Sequence, residues 1–273
     1  MGIVEFYVSY VNKLCEYLMM NAGGGPRPFQ MRHIINLQKG STLIIMFLCM
    51  LTYDNFSSSA WLYTSLHGSY GIVWILKDMI IRDNRWNAYV TLPSLFIMAI
   101  GMGLYWFPGL YLISHGIEVS PPRMALAIIM HTIGIVLMMA ADTQKYFVLK
   151  LQKGLISDGW LARCRNTNYL GEILVYVPYA ILGQHAFSWY YYILLWSLLF
   201  GSNMSKKETS FRRKKGGKEY ITRSGLLFPN VLGWLWDNCF EPGSTEKYMD
   251  SVLNSRKLMD KKSGRRSSRK GTD

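Results

Sequence analysis

Long stretches without a charged residue dominate the first three quarters of the chain. A helix needs about 20 apolar residues to cross the hydrocarbon core of a bilayer, and several of these stretches approach or exceed that length. The last stretch is long enough for two short crossings, separated at Gly183-Gln184-His185. The pattern predicts an all-α protein, a polytopic membrane helix bundle of about six transmembrane helices with a polar cap on the cytosolic or matrix side. The stretches without Asp, Glu, Lys or Arg are 40–53, 55–76, 86–117, 124–141 and 173–205.

The two ends of the chain differ from this apolar centre. Residues 3–20 place apolar side chains on one helical face, which predicts an amphipathic helix that lies in the membrane interface or against the bundle. The glycines and prolines of 21–28 end that helix. After Tyr248 the composition becomes polar and ends in a basic run from Lys261 to Lys270, as is typical of a solvated tail or one that binds anionic lipid. The predicted regions are an N-terminal amphipathic segment at 1–38, a membrane domain at 39–230 and a basic C-terminal tail at 231–273.

The charge of the chain supports the membrane interpretation. There are 30 Lys and Arg against 17 Asp and Glu, a net charge of +13, and such a basic protein could also bind nucleic acid. In a topology with six spans, however, Arg123 is the only basic residue on its side of the membrane. The positive-inside rule produces this asymmetry, so both termini are expected on the cytosolic or matrix side. Nucleic-acid binding is not expected.

The third and second apolar runs contain features of their own. Gly101, Gly103 and Pro108 predict a kinked helix in the third run. In the second run, aromatic and polar side chains recur at steps of three and four residues, so they share one helical face. Such residues commonly hold membrane helices together, and this is the more ordinary interpretation. Ionisable groups at membrane depth are nevertheless costly and often functional. The candidate catalytic residues on this face are His67, Tyr70 and Tyr63.

Polar clusters also fall on the predicted basic side of the membrane, at 142–145, 163–172 and 206–220. Together they supply cations, amides and hydroxyls, which a ligand rich in phosphate requires. Each cluster alone is weak evidence, because Lys and Arg beside membrane helices are ordinary topology determinants. The four cysteines lack CxxC spacing, so neither a disulfide framework nor a metal site is predicted.

These clusters carry a resemblance to a known family. The run Arg165-Asn166-Thr167-Asn168-Tyr169-Leu170-Gly171-Glu172, with Ala141 to Phe147 before it, is similar to the C-terminal half of the steroid 5α-reductase and sterol C14-reductase superfamily. Isoprenylcysteine carboxyl methyltransferases belong to the same superfamily. The resemblance covers about residues 60–230, which makes the membrane domain reductase-like. It implies a membrane-embedded, NADPH-dependent reductase of a carbon–carbon double bond in a steroid or other lipid, located in the endoplasmic reticulum.

The resemblance also implies where NADPH would bind. In this family, elements on the cytosolic side wrap the cofactor, and a cavity in the bilayer holds the lipid. The general acid would come from Tyr63, His67, Tyr70 or Tyr105, among which the sequence does not decide. Carried over by position, the cofactor-binding residues are Asp142, Gln144, Lys145, Arg165, Asn168, Tyr169, Glu172, Glu208, Arg212, Arg213 and Tyr220.

Two departures from the family pattern leave other functions open. Sterol reductases commonly have the sequence Arg-His-Pro-Asn-Tyr, whereas this chain has Asn166 and Thr167 in place of the histidine and the proline. An asparagine that is expected in 5α-reductases is replaced by Met138. A second hypothesis is therefore an accessory or structural subunit of a larger membrane complex, such as a mitochondrial respiratory complex of the inner membrane, with protein partners on the basic tail. A third is a methyltransferase that uses S-adenosylmethionine. In each case the expected partners include membrane lipids.

Overall fold

The computed structural model describes residues 2–231, and its helices follow the apolar runs of the sequence. The predicted all-α class is confirmed. Apart from Val231, the predicted basic tail at 231–273 lies outside the described residues. The order is α1 (Ile3–Phe6), α2 (Asn12–Glu16), α3 (Met31–Thr52), α4 (Ser58–Ile80), α5 (Leu92–Gly103), α6 (Phe107–Ser114), α7 (Pro121–Leu151), α8 (Thr167–Gly183), α9 (Ala186–Leu195), α10 (Gly201–Arg212) and α11 (Gly217–Arg223).

Three helical segments of the described part are long and apolar enough to cross a membrane. They are Met31–Thr52, Leu92–Ser114 and Pro121–Leu151. The other predicted runs lie on α4, on α8, and on α9 with the start of α10. The only strands among the described residues are β1 (Phe29–Gln30) and β2 (Tyr89–Val90), which pair antiparallel. The architecture is therefore a helical membrane bundle.

Two predicted breaks in the apolar runs are confirmed. Between α5 and α6 the helix tightens into a single 3₁₀ turn at Leu104–Trp106, and Pro108 opens α6. Between α8 and α9 the backbone of Gln184 is left-handed, with φ of 50°. The His185 side chain then accepts a hydrogen bond from the Phe187 N–H at 3.1 Å. This side-chain cap explains why α9 begins immediately after the break.

The N-terminal segment packs on the last long helix. A π-helical turn at Tyr7–Val11 links α1 to α2, and a second π-helical turn continues α2. Asn12 and Ser202 of α10 are both buried and are hydrogen-bonded to each other. The Cys15 thiol donates to the Leu198 carbonyl at 3.7 Å. The predicted amphipathic helix is thus docked along α10.

The helices α7 and α8 meet backbone to backbone at two glycines. A Cβ at Gly134 would lie 2.7 Å from the Gly171 carbonyl oxygen, and a Cβ at Gly171 would lie 2.5 Å from the Met138 nitrogen. Real Cβ atoms essentially never come this close to another atom. The absence of a side chain at both positions therefore fixes the spacing of the two helices that carry most of the candidate site.

Candidate active site

Charged side chains gather at one face of the bundle, where α4, α7, α8 and α10 meet. Lys77 of α4 forms an ion pair with Asp142 of α7. Lys207 of α10 donates from Nζ to Asn166 Oδ1 at 2.9 Å, and its ammonium lies 4.2 Å from the centre of the Tyr169 ring. We call the charged groups of this region the charged cluster, and its members are Lys77, Arg85, Asp142, Lys145, Glu172 and Lys207.

The pKa of Lys207 reflects the charges that surround it in the charged cluster. Burial first, and then the positive charges of Lys145 and Arg85, lower the pKa of Lys207 to about 7, while Asp142 and Glu172 act in the opposite direction. The cations of the cluster therefore repel one another more than the carboxylates relieve them. A bound anion would remove this repulsion, which is the electrostatic property of a phosphate site.

Arg85 lies on the 3₁₀ turn that follows α4 and brings a further cation to the cluster. Its hydrogen bond to Asp83 raises the pKa of Arg85, although burial acts against this shift, and Tyr169 and Asp142 add to it. The Arg85 side chain is 57% exposed. The guanidinium therefore stands at the outer edge of the cluster, where solvent and ligand can reach it.

Two of the predicted cofactor residues have polar groups without a protein partner. The Lys145 ammonium makes no hydrogen bond or ion pair with any described residue, and neither does the amide of Asn168, which is only 8% exposed. Neither polar group is completely buried, so solvent or a ligand can reach both. Because Asn168 precedes Tyr169 at the start of α8, both free donors lie on the two helices that frame the charged cluster.

Gln144 has a different role in the structure. Its Oε1 accepts from the Trp160 N–H at 2.9 Å, and its Nε2 donates to the Asp158 carbonyl at 3.0 Å. Between them, Gly159 has φ of 54°. Gln144 therefore holds the loop before α8 against α7, and it shapes the site through this loop.

The remaining predicted cofactor residues are engaged with the protein itself. Arg165 donates from Nη1 to the carbonyls of Ile221 and Ser224, and its Nε lies 3.2 Å from Glu208 Oε2. The Tyr220 hydroxyl donates to the Leu161 carbonyl at 2.7 Å. These bonds tie the segment around α11 to the start of α8. Contact of Arg165, Glu208 and Tyr220 with a cofactor stays a prediction, as it does for the exposed Arg212 and Arg213.

The candidate catalytic residues of α4 are completely buried inside the bundle. His67 Nδ1 lies 3.2 Å from the Tyr63 hydroxyl, and the His67 ring stacks on Tyr179 with 4.3 Å between centroids. His131 Nε2 is 3.2 Å from the Tyr179 hydroxyl. His67 Nε2 is buried and has no hydrogen-bond partner among the described residues. These contacts agree with the helix-packing interpretation.

A second buried group contains Tyr70 and two residues that the sequence did not single out. The Tyr70 and Tyr176 hydroxyls are 3.1 Å apart, and Lys39 Nζ donates to the Tyr176 hydroxyl at 2.6 Å. Lys39 looked like a topology determinant because it borders the apolar run 40–53. Tyr176 lies inside an apolar run. We call the buried rings the aromatic cluster, and its members are Tyr63, His67, Tyr70, Tyr105, Tyr176 and Tyr179.

One face of α8 connects the two clusters. Tyr169, Glu172, Tyr176 and Tyr179 are spaced by three and four residues and therefore share a face. The rise of about 1.5 Å per residue places Tyr176 roughly 6 Å further into the bundle than Glu172. Glu172 interacts electrostatically both with Lys77 of the charged cluster and with Lys39 of the buried group. The polar and the apolar halves of the site are thus adjacent.

The fold and this site define an integral membrane protein in which cations suited to phosphate adjoin a buried cluster of ionisable aromatic side chains. Comparison with known proteins agrees with this class. Residues 104–222 match the family model described as protein of unknown function (DUF1295). The Delta(14)-sterol reductase LBR of Gallus gallus is 26% identical over 166 residues, which cover 50% of this chain and 26% of that protein.

The match to this relative spans about a quarter of its length, so the likeness concerns one part of a longer protein. No solved structure matches the chain. The two matches confirm the resemblance to the steroid 5α-reductase and sterol C14-reductase superfamily. The family match covers the helices α6 to α10, which contribute Asp142, Lys145, Tyr169, Glu172 and Lys207 to the site.

Proposed function

We propose that this protein is a membrane-embedded, NADPH-dependent reductase of a carbon–carbon double bond in a steroid or other lipid. The observation that carries this proposal is the adjacency of the charged cluster and the aromatic cluster along one face of α8. A dinucleotide with three phosphates needs cations at its polar end, and a lipid needs an apolar pocket at membrane depth. The similarity to a sterol reductase supports the same reaction class.

The residues present fit the proposed cofactor. Lys77, Arg85, Lys145 and Lys207 supply ammonium and guanidinium donors for phosphate, and the Asn168 amide has no hydrogen-bond partner within residues 2–231. Bound NADPH supplies a hydride for the β-carbon of an activated alkene. The Tyr169 ring is stacked on Phe200 at 4.6 Å and holds the Lys207 ammonium at 4.2 Å from its centre, so it positions Lys207, and Glu172 acts on the neighbouring cations.

The protein must also exclude water and deliver a proton. The aromatic cluster would exclude water, because Tyr63, His67, Tyr70 and Tyr179 have no exposed surface. A hydroxyl or imidazole of this cluster would deliver the proton to the α-carbon, after the hydride has been added to the β-carbon. The reaction thus needs both halves of the site at once. We place such a reductase in the endoplasmic reticulum and an accessory subunit in the mitochondrial inner membrane.

The first experiment is NADPH binding to detergent-purified protein, measured by thermal shift and by energy transfer from tryptophan to nicotinamide. A charge-assisted hydrogen bond contributes about 1.5–3 kcal/mol, so Lys145→Ala and Asn168→Ala are each expected to raise Kd by about tenfold or more. Lys150→Ala is the matched control, because Lys150 is exposed on the same helix. The absence of saturable binding by folded wild-type protein would refute the proposal and favour the accessory subunit.

A further inference from the structure

We infer that Tyr176 is the general acid of this site and that Lys39 is its positioning residue. The inference rests on the proposed function, because it assigns the proton donor of that reaction. It differs from the choice that the sequence offered, which was limited to Tyr63, His67, Tyr70 and Tyr105. The observations that carry it are the burial of Lys39, the direction of its hydrogen bond and the place of Tyr176 on α8.

The environment of Lys39 is unusual for a lysine. Its side chain is only 4% exposed, and it forms no ion pair with any described residue. Aromatic rings surround it instead, with distances from Nζ to the ring centres of 4.7 Å for Tyr70, 4.9 Å for Tyr105, 5.0 Å for Tyr176 and 5.7 Å for Trp74. A buried charge is normally paired. Here the faces of aromatic rings stabilise the buried ammonium in place of an opposite charge, and this interaction is weaker than an ion pair.

This cation acts on one oxygen in particular. The Lys39 ammonium donates to the Tyr176 hydroxyl at 2.6 Å, and the Tyr70 hydroxyl lies 3.1 Å from the same atom. A Tyr176 phenolate would therefore be met by an ammonium and by a second O–H donor, without any movement of the protein. Preorganised donors of this kind favour the state in which charge has developed. Glu172 and Lys77 are the other charged groups that act on Lys39.

The proton transfer can be written in balance with the proposed reaction. After hydride has added to the β-carbon of a conjugated enone, the electron pair of the double bond lies on the α-carbon and carbonyl oxygen. The O–H bond of Tyr176 breaks, and its proton forms the new C–H bond at the α-carbon. The phenolate that remains is stabilised by Lys39 and Tyr70. One proton from solvent restores the phenol, so each turnover consumes one hydride and one proton.

His67, Tyr63 and Tyr179 lack this arrangement. His67 and Tyr63 are hydrogen-bonded to each other, and the Tyr179 hydroxyl is shared between His131 and the Leu66 carbonyl. No lysine or arginine among the described residues donates to any of these groups. Tyr176 also follows Glu172 by about one helical turn, so it lies on the face of α8 that carries the charged cluster.

The first test needs neither cofactor nor substrate. Fluorotyrosine is placed at position 176 of the full chain in detergent, and its ¹⁹F resonance is followed as pH is raised. With Lys39 present the phenol is expected to ionise at least tenfold more readily, a midpoint about one pH unit lower, than in Lys39→Met. Lys39→Arg keeps the charge and should restore most of the difference. Equal midpoints in wild type and Lys39→Met would overturn the inference.

The second test measures turnover of progesterone with NADPH, together with NADPH binding. Tyr176→Phe is expected to lower kcat by about 100-fold or more while leaving the Kd of NADPH unchanged, which also shows that the variant folds. Tyr190→Phe is the control, because Tyr190 is 73% exposed on α9. Full turnover by Tyr176→Phe refutes the inference and leaves the reductase proposal intact. Failure of wild type to bind NADPH refutes the proposal itself. If wild type binds NADPH without reducing progesterone, the ¹⁹F midpoints decide.

Discussion

The contact between α7 and α8 gives a quantitative prediction for Gly171→Ala. The new Cβ would lie 2.5 Å from the Met138 nitrogen and 2.6 Å from the Gly134 carbonyl oxygen. Both are backbone atoms of α7, so no side chain can rotate away. Ordinary contact begins at about 3.5 Å, and relief of the overlap therefore requires the two helices to separate by about 1 Å.

The cost of this separation can be set against known values. Overpacking of a well-packed core costs about 1–3 kcal/mol. A chain of this size loses roughly 2–4 °C in Tm per kcal/mol, so Gly171→Ala should lower Tm by about 2–12 °C. The separation also moves Tyr169 and Glu172 away from Asp142 and Lys145. Because positioning errors of about 1 Å weaken a site strongly, the Kd of NADPH should rise by about tenfold.

The assay is thermal unfolding of the purified protein in detergent, with NADPH titrated into each variant. Gly101→Ala is the matched control, because a Cβ at Gly101 meets nothing within 4 Å. Alanine favours a helix over glycine by up to about 1 kcal/mol, so the control should be as stable as wild type or more stable. A Gly171→Ala protein with the Tm and the Kd of wild type would refute the packing argument.

Further predictions concern the charged groups. The pKa of Lys207 is lowered to about 7, so its positive charge is lost as pH rises. NADPH affinity should therefore fall between about pH 7 and pH 9, where the cofactor phosphates are already ionised. Lys207→Arg stays charged and should flatten this profile. Because folding lowers this pKa, the free energy of unfolding of the apo protein should rise over the same pH interval in wild type and not in Lys207→Arg. Glu208→Gln leaves Arg165 without its buried carboxylate and should lower the free energy of unfolding by about 3 kcal/mol. The Kd of NADPH, measured below Tm, should stay the same. A large change in Kd with unchanged stability would instead support the predicted cofactor contact. Arg213→Ala removes an exposed side chain, so its Tm in the same thermal assay should change by the equivalent of less than about 0.5 kcal/mol.

Most of the fold could be predicted from the sequence, because a membrane leaves few alternatives. Backbone groups in lipid must be hydrogen-bonded within a helix, so an uncharged run of sufficient length specifies a helix without knowledge of its neighbours. Glycine and proline then marked the breaks at 104–106 and at Gln184. The contact between Gly134 and Gly171 could not be predicted in the same way. Single glycines are common in membrane helices, and only the structure shows which of them face each other.

The candidate site was less accessible to sequence reasoning. Asp142 and Lys145 share one motif and Tyr169 and Glu172 another, so their proximity followed from the family resemblance. Lys39, by contrast, occurs where any topology determinant would occur. Its burial depends on α3 packing against α4, which the hydrophobic pattern does not specify. The sequence signal that could have revealed Tyr176 is the spacing of polar residues along one face of α8.

The course of α8 through both clusters suggests why a reductase of this kind would be built around a single helix. The residues that meet the cofactor and those that meet the lipid must keep one fixed distance, because hydride transfer requires near contact between the reacting carbons. Residues on separate helices would change that distance with every small movement of the bundle. On α8, Tyr169, Glu172 and Tyr176 are spaced by the helix itself, and Gly171 holds this helix directly against α7. The glycine contact between α7 and α8 would therefore also set the register between the proposed cofactor and the proposed proton donor.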